Sequence, residues 1–349
     1  MKALMRRSPR PYDIGVVEAP LPLLQGPDWV RIKVAYAGVC GGSDIKLMKA
    51  EAGEGAKLKP PIILGHEFSG TVEEVGEEVT LVKPGDLVTV DTLIAPCGHC
   101  RYCHSGDWNM CGSRKGVGSS FPGGFAEYFA GPQANLHRLP PGLPLSVGAL
   151  AEPMSCAVHI VHDQGRVQVG ERVVVIGPGI IGLCCAMAAM AAGARVVVIG
   201  TPRGEERLAT ARGLGCKTLV NTEENLPAMV CEAFDGQLAD LAVDAIGSNR
   251  AVEMALPLLR KMGRLVVGGV PFPKTDPYQV DMGLVYRNQL SITAGRSSRP
   301  DDWPLALQIL DRYCRQAEGM IGGYFSIDRW REAFDATISK QMLKAMIRF

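Results

Sequence analysis

Val173-Val174-Val175-Ile176-Gly177-Pro178-Gly179-Ile180-Ile181-Gly182 is the stretch on which the fold is read. An apolar run that suits a buried strand enters G-x-G-x-x-G, and an apolar, Ala-rich stretch at 180–192 follows with the length of a helix. In that setting the glycines permit a tight turn, close approach of a pyrophosphate and close helix packing, with the helix N-terminus facing phosphate. Gly177, Gly179, Ile180, Ile181 and Gly182 are therefore candidate dinucleotide contacts. The competing reading is a tight turn in another α/β sheet, such as a methyltransferase-like one.

Working outward, a second apolar strand at 195–199 and a helical stretch at 205–214 follow, then strands at 241–246 and 263–267. This alternation predicts a parallel sheet with helices on both faces. The tip of the second strand carries no acid for a ribose; Gly200-Thr201-Pro202-Arg203-Gly204-Glu205 stands there instead. Thr201 and Arg203 suit a 2′-phosphate, so the choice between NAD and NADP leans to NADP, although Glu205 could still reach a ribose. Ile246, Gly269 and Val270 lie at the ends of later strands, where such sheets bind their ligands.

Before residue 157 the texture is different: short β-rich runs at 30–37, 68–75 and 87–90 are punctuated by Gly and Pro, which predicts an all-β, barrel-like domain. The boundaries read are 1–156 for that domain, 157–294 for the parallel sheet and 295–349 for a segment that returns to the first domain. A chain of 349 residues is long enough for two domains. Lys plus Arg total 37 against 36 for Asp plus Glu, a net charge of +1, which argues against a nucleic-acid partner. No apolar stretch reaches the roughly 18–20 residues needed to span a bilayer, and the N-terminus has no apolar signal region. A cytoplasmic location is expected, and there the eleven cysteines point to metal rather than disulfides.

Cys97, Cys100, Cys103 and Cys111 form C-x2-C-x2-C-x7-C among loop-forming Pro and Gly residues, a spacing that suits a tetrahedral structural zinc. An iron–sulfur cluster is the alternative. A catalytic zinc needs three protein ligands and one exchangeable position. Cys40, His66, Glu67 and Glu152 are the remaining candidates, but they lie too far apart in the chain to be joined by spacing.

Gly65-His66-Glu67-Phe68-Ser69-Gly70, Val82-Lys83-Pro84-Gly85-Asp86-Leu87-Val88, Gly123-Gly124-Phe125-Ala126-Glu127-Tyr128 and the four-cysteine lobe together resemble the zinc-containing medium-chain dehydrogenase/reductase superfamily. Ala151-Glu152-Pro153-Met154-Ser155 is similar to its sorbitol (polyol) and threonine dehydrogenase branch. The resemblance implies an α/β chain with a GroES-like β-barrel catalytic domain and a Rossmann doubly wound domain. It implies hydride transfer between a secondary alcohol and NAD(P), with one catalytic and one structural zinc. Cys40, His66 and a carboxylate, Glu67 or Glu152, would hold the catalytic ion, with Cys156 a weaker candidate.

Ser43 stands where the family carries its proton relay, but one residue further from the first cysteine than is usual. Lys46 replaces a histidine that often follows. Phe121 and Arg296 are implied substrate contacts. Relatives imply a homodimer or homotetramer, with a short strand at 290–293 as a candidate for pairing across a two-fold axis. A zinc-free reductase of the same superfamily and a non-catalytic dinucleotide-binding zinc scaffold are the competing functions.

Overall fold

Six parallel strands organise one half of the protein, described by a computed structural model covering residues 1–49, 60–222, 225–269 and 278–349. Across the sheet they run Lys217–Val220, Arg195–Gly200, Arg172–Ile176, Ala239–Asp244, Leu259–Val267 and Ser291–Ala294, every neighbouring pair parallel. Numbered along the chain, this order is 3-2-1-4-5-6, the Rossmann arrangement, with its switch point between Arg172–Ile176 and Ala239–Asp244. Every residue of Ala239–Asp244 is buried, as expected for a strand covered on both faces. Helices such as Ile180–Ala191, Glu205–Gly213 and Asn249–Ala255 provide that cover.

The strand expected over 241–246 stops at Asp244 for a physical reason. The Asp244 carboxylate accepts the amides of Ile246 at 2.8 Å and Gly247 at 2.9 Å, so the backbone turns out of the ladder and Ile246 is left exposed.

Pro153–Ser298 forms this compact unit, and Met1–Glu152 with Arg299–Phe349 forms the other. The second unit is built on Trp29–Gly38, which alternates buried and more exposed positions along most of its length. It pairs antiparallel with Glu67–Val75, Tyr128–Pro132 and Lys344–Arg348. The chain's final strand thus lies against one of its first. Val30, Ile32, Phe68, Val72, Phe129 and Ile347 are among the buried side chains of this core. Helices are interspersed with the β-structure, including Ser43–Lys49 and, near the C-terminus, Trp330–Ile338. No helix among the described residues is long and apolar enough to cross a membrane.

In the parallel unit the turn after Arg172–Ile176 requires its glycines. Gly177 has φ +105°, and a Cβ on Gly182 would lie 1.9 Å from the Gly177 carbonyl oxygen. Gly182→Ala should therefore push helix Ile180–Ala191 off the sheet and destabilise the protein by about 1–3 kcal/mol. A urea midpoint equal to that of the wild type would show that the helix moves at no cost.

Candidate active site

Cys40 lies two residues beyond the end of Trp29–Gly38, and Gly38 stands opposite Glu67 in the ladder with Glu67–Val75. This pairing gathers Cys40, His66 and Glu67, whose ligand atoms all lie within 4.8 Å of one another. Behind them sits Asp44, fully buried in helix Ser43–Lys49. One of its oxygens accepts the Cys40 amide at 2.9 Å, and the other stands 3.3 Å from His66 Nδ1. A carboxylate at Nδ1 fixes the ring orientation and leaves Nε2 as the donor atom for a metal. Ser43 Oγ lies 3.0 Å from that Nε2. The shifted spacing has therefore not moved Ser43 away from the site.

Burial works against a charged His66 ring, but Asp44 and Cys40 outweigh it and hold its pKa well above the ordinary value. Surroundings that favour a proton on the ring also favour a divalent cation, so this thiol, imidazole and carboxylate set fits zinc. Glu152, in helix Ala151–Val158, falls outside the group of three. Its charge is nonetheless felt at Lys344 and at buried Asp91, whose carboxyl is pushed up to about 7, chiefly by burial. Cys156, in the same helix, is also outside the group. Phe121 packs against Trp29 and Phe129, each with ring centroids 6.0 Å away, and Arg296 belongs to the parallel unit.

Two residues were not legible beforehand. Asp44 had a signal available, an acid four residues after the candidate ligand Cys40. Lys344 had none.

The four lobe cysteines converge as well, their sulfurs all within 4.8 Å of one another. Cys97 Sγ is 3.8 Å and Cys100 Sγ 3.6 Å from Cys103 Sγ. Four sulfurs at the zinc–thiolate distance on a tetrahedron would stand about 3.8 Å apart. The lobe thus has the dimensions of a single ion and is too tight for a cluster. The Cys97 amide, 3.4 Å from Cys111 Sγ, brings that thiol down to about 6, whereas burial and the neighbouring thiols push Cys103 up to about 12. Four thiolates crowded together need a cation to share.

At the dinucleotide turn, Gly179 caps helix Ile180–Ala191 and has open space where a Cβ would stand. Gly268 and Gly269 donate to the Asp244 carbonyl, each at 2.8 Å, so one residue organises both the Ile246-Gly247 turn and the Gly268-Gly269 turn. Thr201 and Arg203 are exposed at the tip of Arg195–Gly200, while Glu205 is engaged by Arg212. Val270 lies outside the described residues.

The alcohol dehydrogenase GroES-like domain matches residues 26–141, and the zinc-binding dehydrogenase family matches residues 181–312. The chain is similar to D-arabitol-phosphate dehydrogenase of Enterococcus avium, 35% identical over 99% of this chain and 97% of that protein. It is equally similar to sorbitol dehydrogenase of Halalkalibacterium halodurans, 35% identical over 99% of each chain. Among solved structures it resembles galactitol-1-phosphate dehydrogenase from Escherichia coli, with 27% identity, full coverage of both chains (100%) and a TM-score of 0.88.

The chain belongs to the zinc-dependent medium-chain dehydrogenase/reductase superfamily, in its sorbitol (polyol)/threonine dehydrogenase branch. It is a zinc-dependent alcohol/polyol oxidoreductase that exchanges a hydride with a nicotinamide cofactor.

The position of Asp44 behind both Cys40 and His66 leads to a direct test. Asp44→Asn removes the charge that orients His66 and should weaken metal retention or turnover by roughly 10–100-fold. Metal content after dialysis against a chelator measures this, with circular dichroism to verify the fold; unchanged retention would deny Asp44 that part.

Proposed function

We propose that Cys40, His66 and a carboxylate, Glu67 or Glu152, hold a catalytic zinc, and that Cys97, Cys100, Cys103 and Cys111 hold a second, structural one. The observation that carries this reading is the convergence of Cys40, His66 and Glu67 within 4.8 Å, with Asp44 behind them. A zinc bound there would act as a Lewis acid, lowering the pKa of the substrate hydroxyl so that its carbon can release hydride to the nicotinamide. The chain's own residues position the reactants and move the proton. Asp44 at Nδ1 leaves His66 Nε2 as the atom that would hold the ion, and Ser43, 3.0 Å from that nitrogen, accepts the proton of the substrate hydroxyl as it releases its own. With Lys46 in place of the family's histidine, the proton passes from Ser43 to solvent rather than along a histidine relay.

The substrate is a polyol or its phosphate ester oxidised at a secondary hydroxyl; the sorbitol, arabitol-phosphate and galactitol-phosphate enzymes among its relatives support this class. Residues 1–156 and 295–349 form the catalytic domain and residues 157–294 the cofactor domain. Gly177, Gly179, Ile180, Ile181 and Gly182 receive the pyrophosphate, and Ile246 and Gly269 line the nicotinamide. Thr201 and Arg203, exposed where the family usually has an acid, favour NADP. Ser291–Ala294 is an edge strand with every residue exposed, which supports a homodimer or homotetramer paired through it. A cytoplasmic location and the absence of nucleic-acid partners complete the proposal.

Two measurements test it. Wild-type enzyme should contain two zinc ions per chain and Cys40→Ser one, with turnover reduced by more than about 100-fold. Equal zinc content and equal rates in the two proteins would overturn the catalytic-zinc assignment. Arg203→Ala should raise the KM for NADP by about tenfold, the worth of one charge-assisted hydrogen bond, and leave that for NAD unchanged. An equal effect on both cofactors would remove Arg203 from the 2′-phosphate site.

A further inference from the structure

Lys344 opens the strand Lys344–Arg348 inside the core, and it and Glu67 are each only 1% exposed. Its ammonium stands 2.5 Å from Glu67 Oε2 and donates to the Val39 carbonyl at 3.2 Å. A buried ammonium is costly unless it is paired and hydrogen-bonded, and this one is both. Space has been left for the pair. Gly38 lies beside it, and a Cβ there would come 2.6 Å from Glu67 Oε2 and 3.2 Å from Lys344 Cδ. The pair therefore borders the Cys40 and His66 donor set and shares Glu67 with it.

We propose that Lys344 is a positioning residue that restrains Glu67: by holding Oε2, it weakens the carboxylate's grip on the catalytic metal and keeps one coordination position exchangeable for the substrate hydroxyl. This rests on the assignment of Cys40 and His66 as metal ligands. The physical reason is competition for one negative charge. A carboxylate that shares its charge with an ammonium is a weaker donor to a cation and is turned toward the ammonium. Without Lys344, Glu67 would be a buried anion beside the metal and would close on the ion. A merely structural ion pair would make the strand less stable when broken and would leave the metal's coordination unchanged.

Cobalt(II) substituted for zinc separates the two roles without reference to turnover. The relevant signal is the visible spectrum of each protein minus that of its C40S counterpart, followed by the rate of cobalt release to a chelator. K344M, unbranched and uncharged, should weaken the visible bands as the coordination number rises and should slow cobalt release by about tenfold. K344R should keep the wild-type spectrum and rate. The double variant K344M/E67Q, which has no carboxylate charge to reassign, should return the release rate toward wild type. If K344M does not fold, K344Q takes its place with the same expected direction.

An unchanged spectrum and rate in the neutral variant, or faster release, overturns the proposal. A wild-type spectrum with no C40S-sensitive band is a different result: it refutes the ligand assignment itself, and the proposal with it.

Discussion

The ladder along Trp29–Gly38 is the constraint on which the catalytic half depends. This one strand is hydrogen-bonded to Glu67–Val75, Tyr128–Pro132 and Lys344–Arg348. Buried amides and carbonyls left without partners are costly, so the register of these pairings is strongly held. A one-residue slip would also carry Val30, Ile32 and Val34 from the core to the opposite face. The functional consequence is at the strand's end, where Gly38 faces Glu67 and Met346 and Cys40 follows two residues later. Donor atoms are placed by backbone pairing.

Charge organises the site once the backbone has placed it. Asp44 faces the Cys40 amide and His66 Nδ1, Lys344 faces Glu67, and all of these groups are buried or nearly so. At such short range and low exposure, electrostatic preferences translate into fixed orientations. The anionic groups outnumber Lys344, and a divalent cation suits the difference. The lobe solves the same problem with thiols alone, at sulfur separations that match one tetrahedral ion.

The parallel unit follows a different logic. Its central strands, Arg172–Ile176 and Ala239–Asp244, are buried but for Arg172, so function falls to the turns at their C-terminal ends. Asp244 is the organising residue there: its carboxylate accepts two amides of one turn and its backbone carbonyl two amides of the next. Burial raises its carboxyl pKa while the Gly247 and Ile246 amides act against the rise. A single acid thus shapes both turns at the switch-point edge, which explains why the strand ends two residues before its apolar pattern does.

The sequence by itself determined the strand–glycine turn–helix unit, the alternation that makes a doubly wound sheet, and the four-cysteine lobe. Each is encoded over a short span: periodicity, the steric demands at Gly177 and Gly182, and ligand spacing are local properties. The motifs that resemble the superfamily extended this to the whole chain and to its chemistry. Only the tertiary structure decided that the donor atoms of Cys40, His66 and Glu67 lie within 4.8 Å of one another, and that Ser43 still reaches His66. It alone decided that Glu67 shares its charge with a lysine 277 residues away. Such meetings depend on the register between distant strands and on which charges are buried together, and no local pattern in a chain records either one.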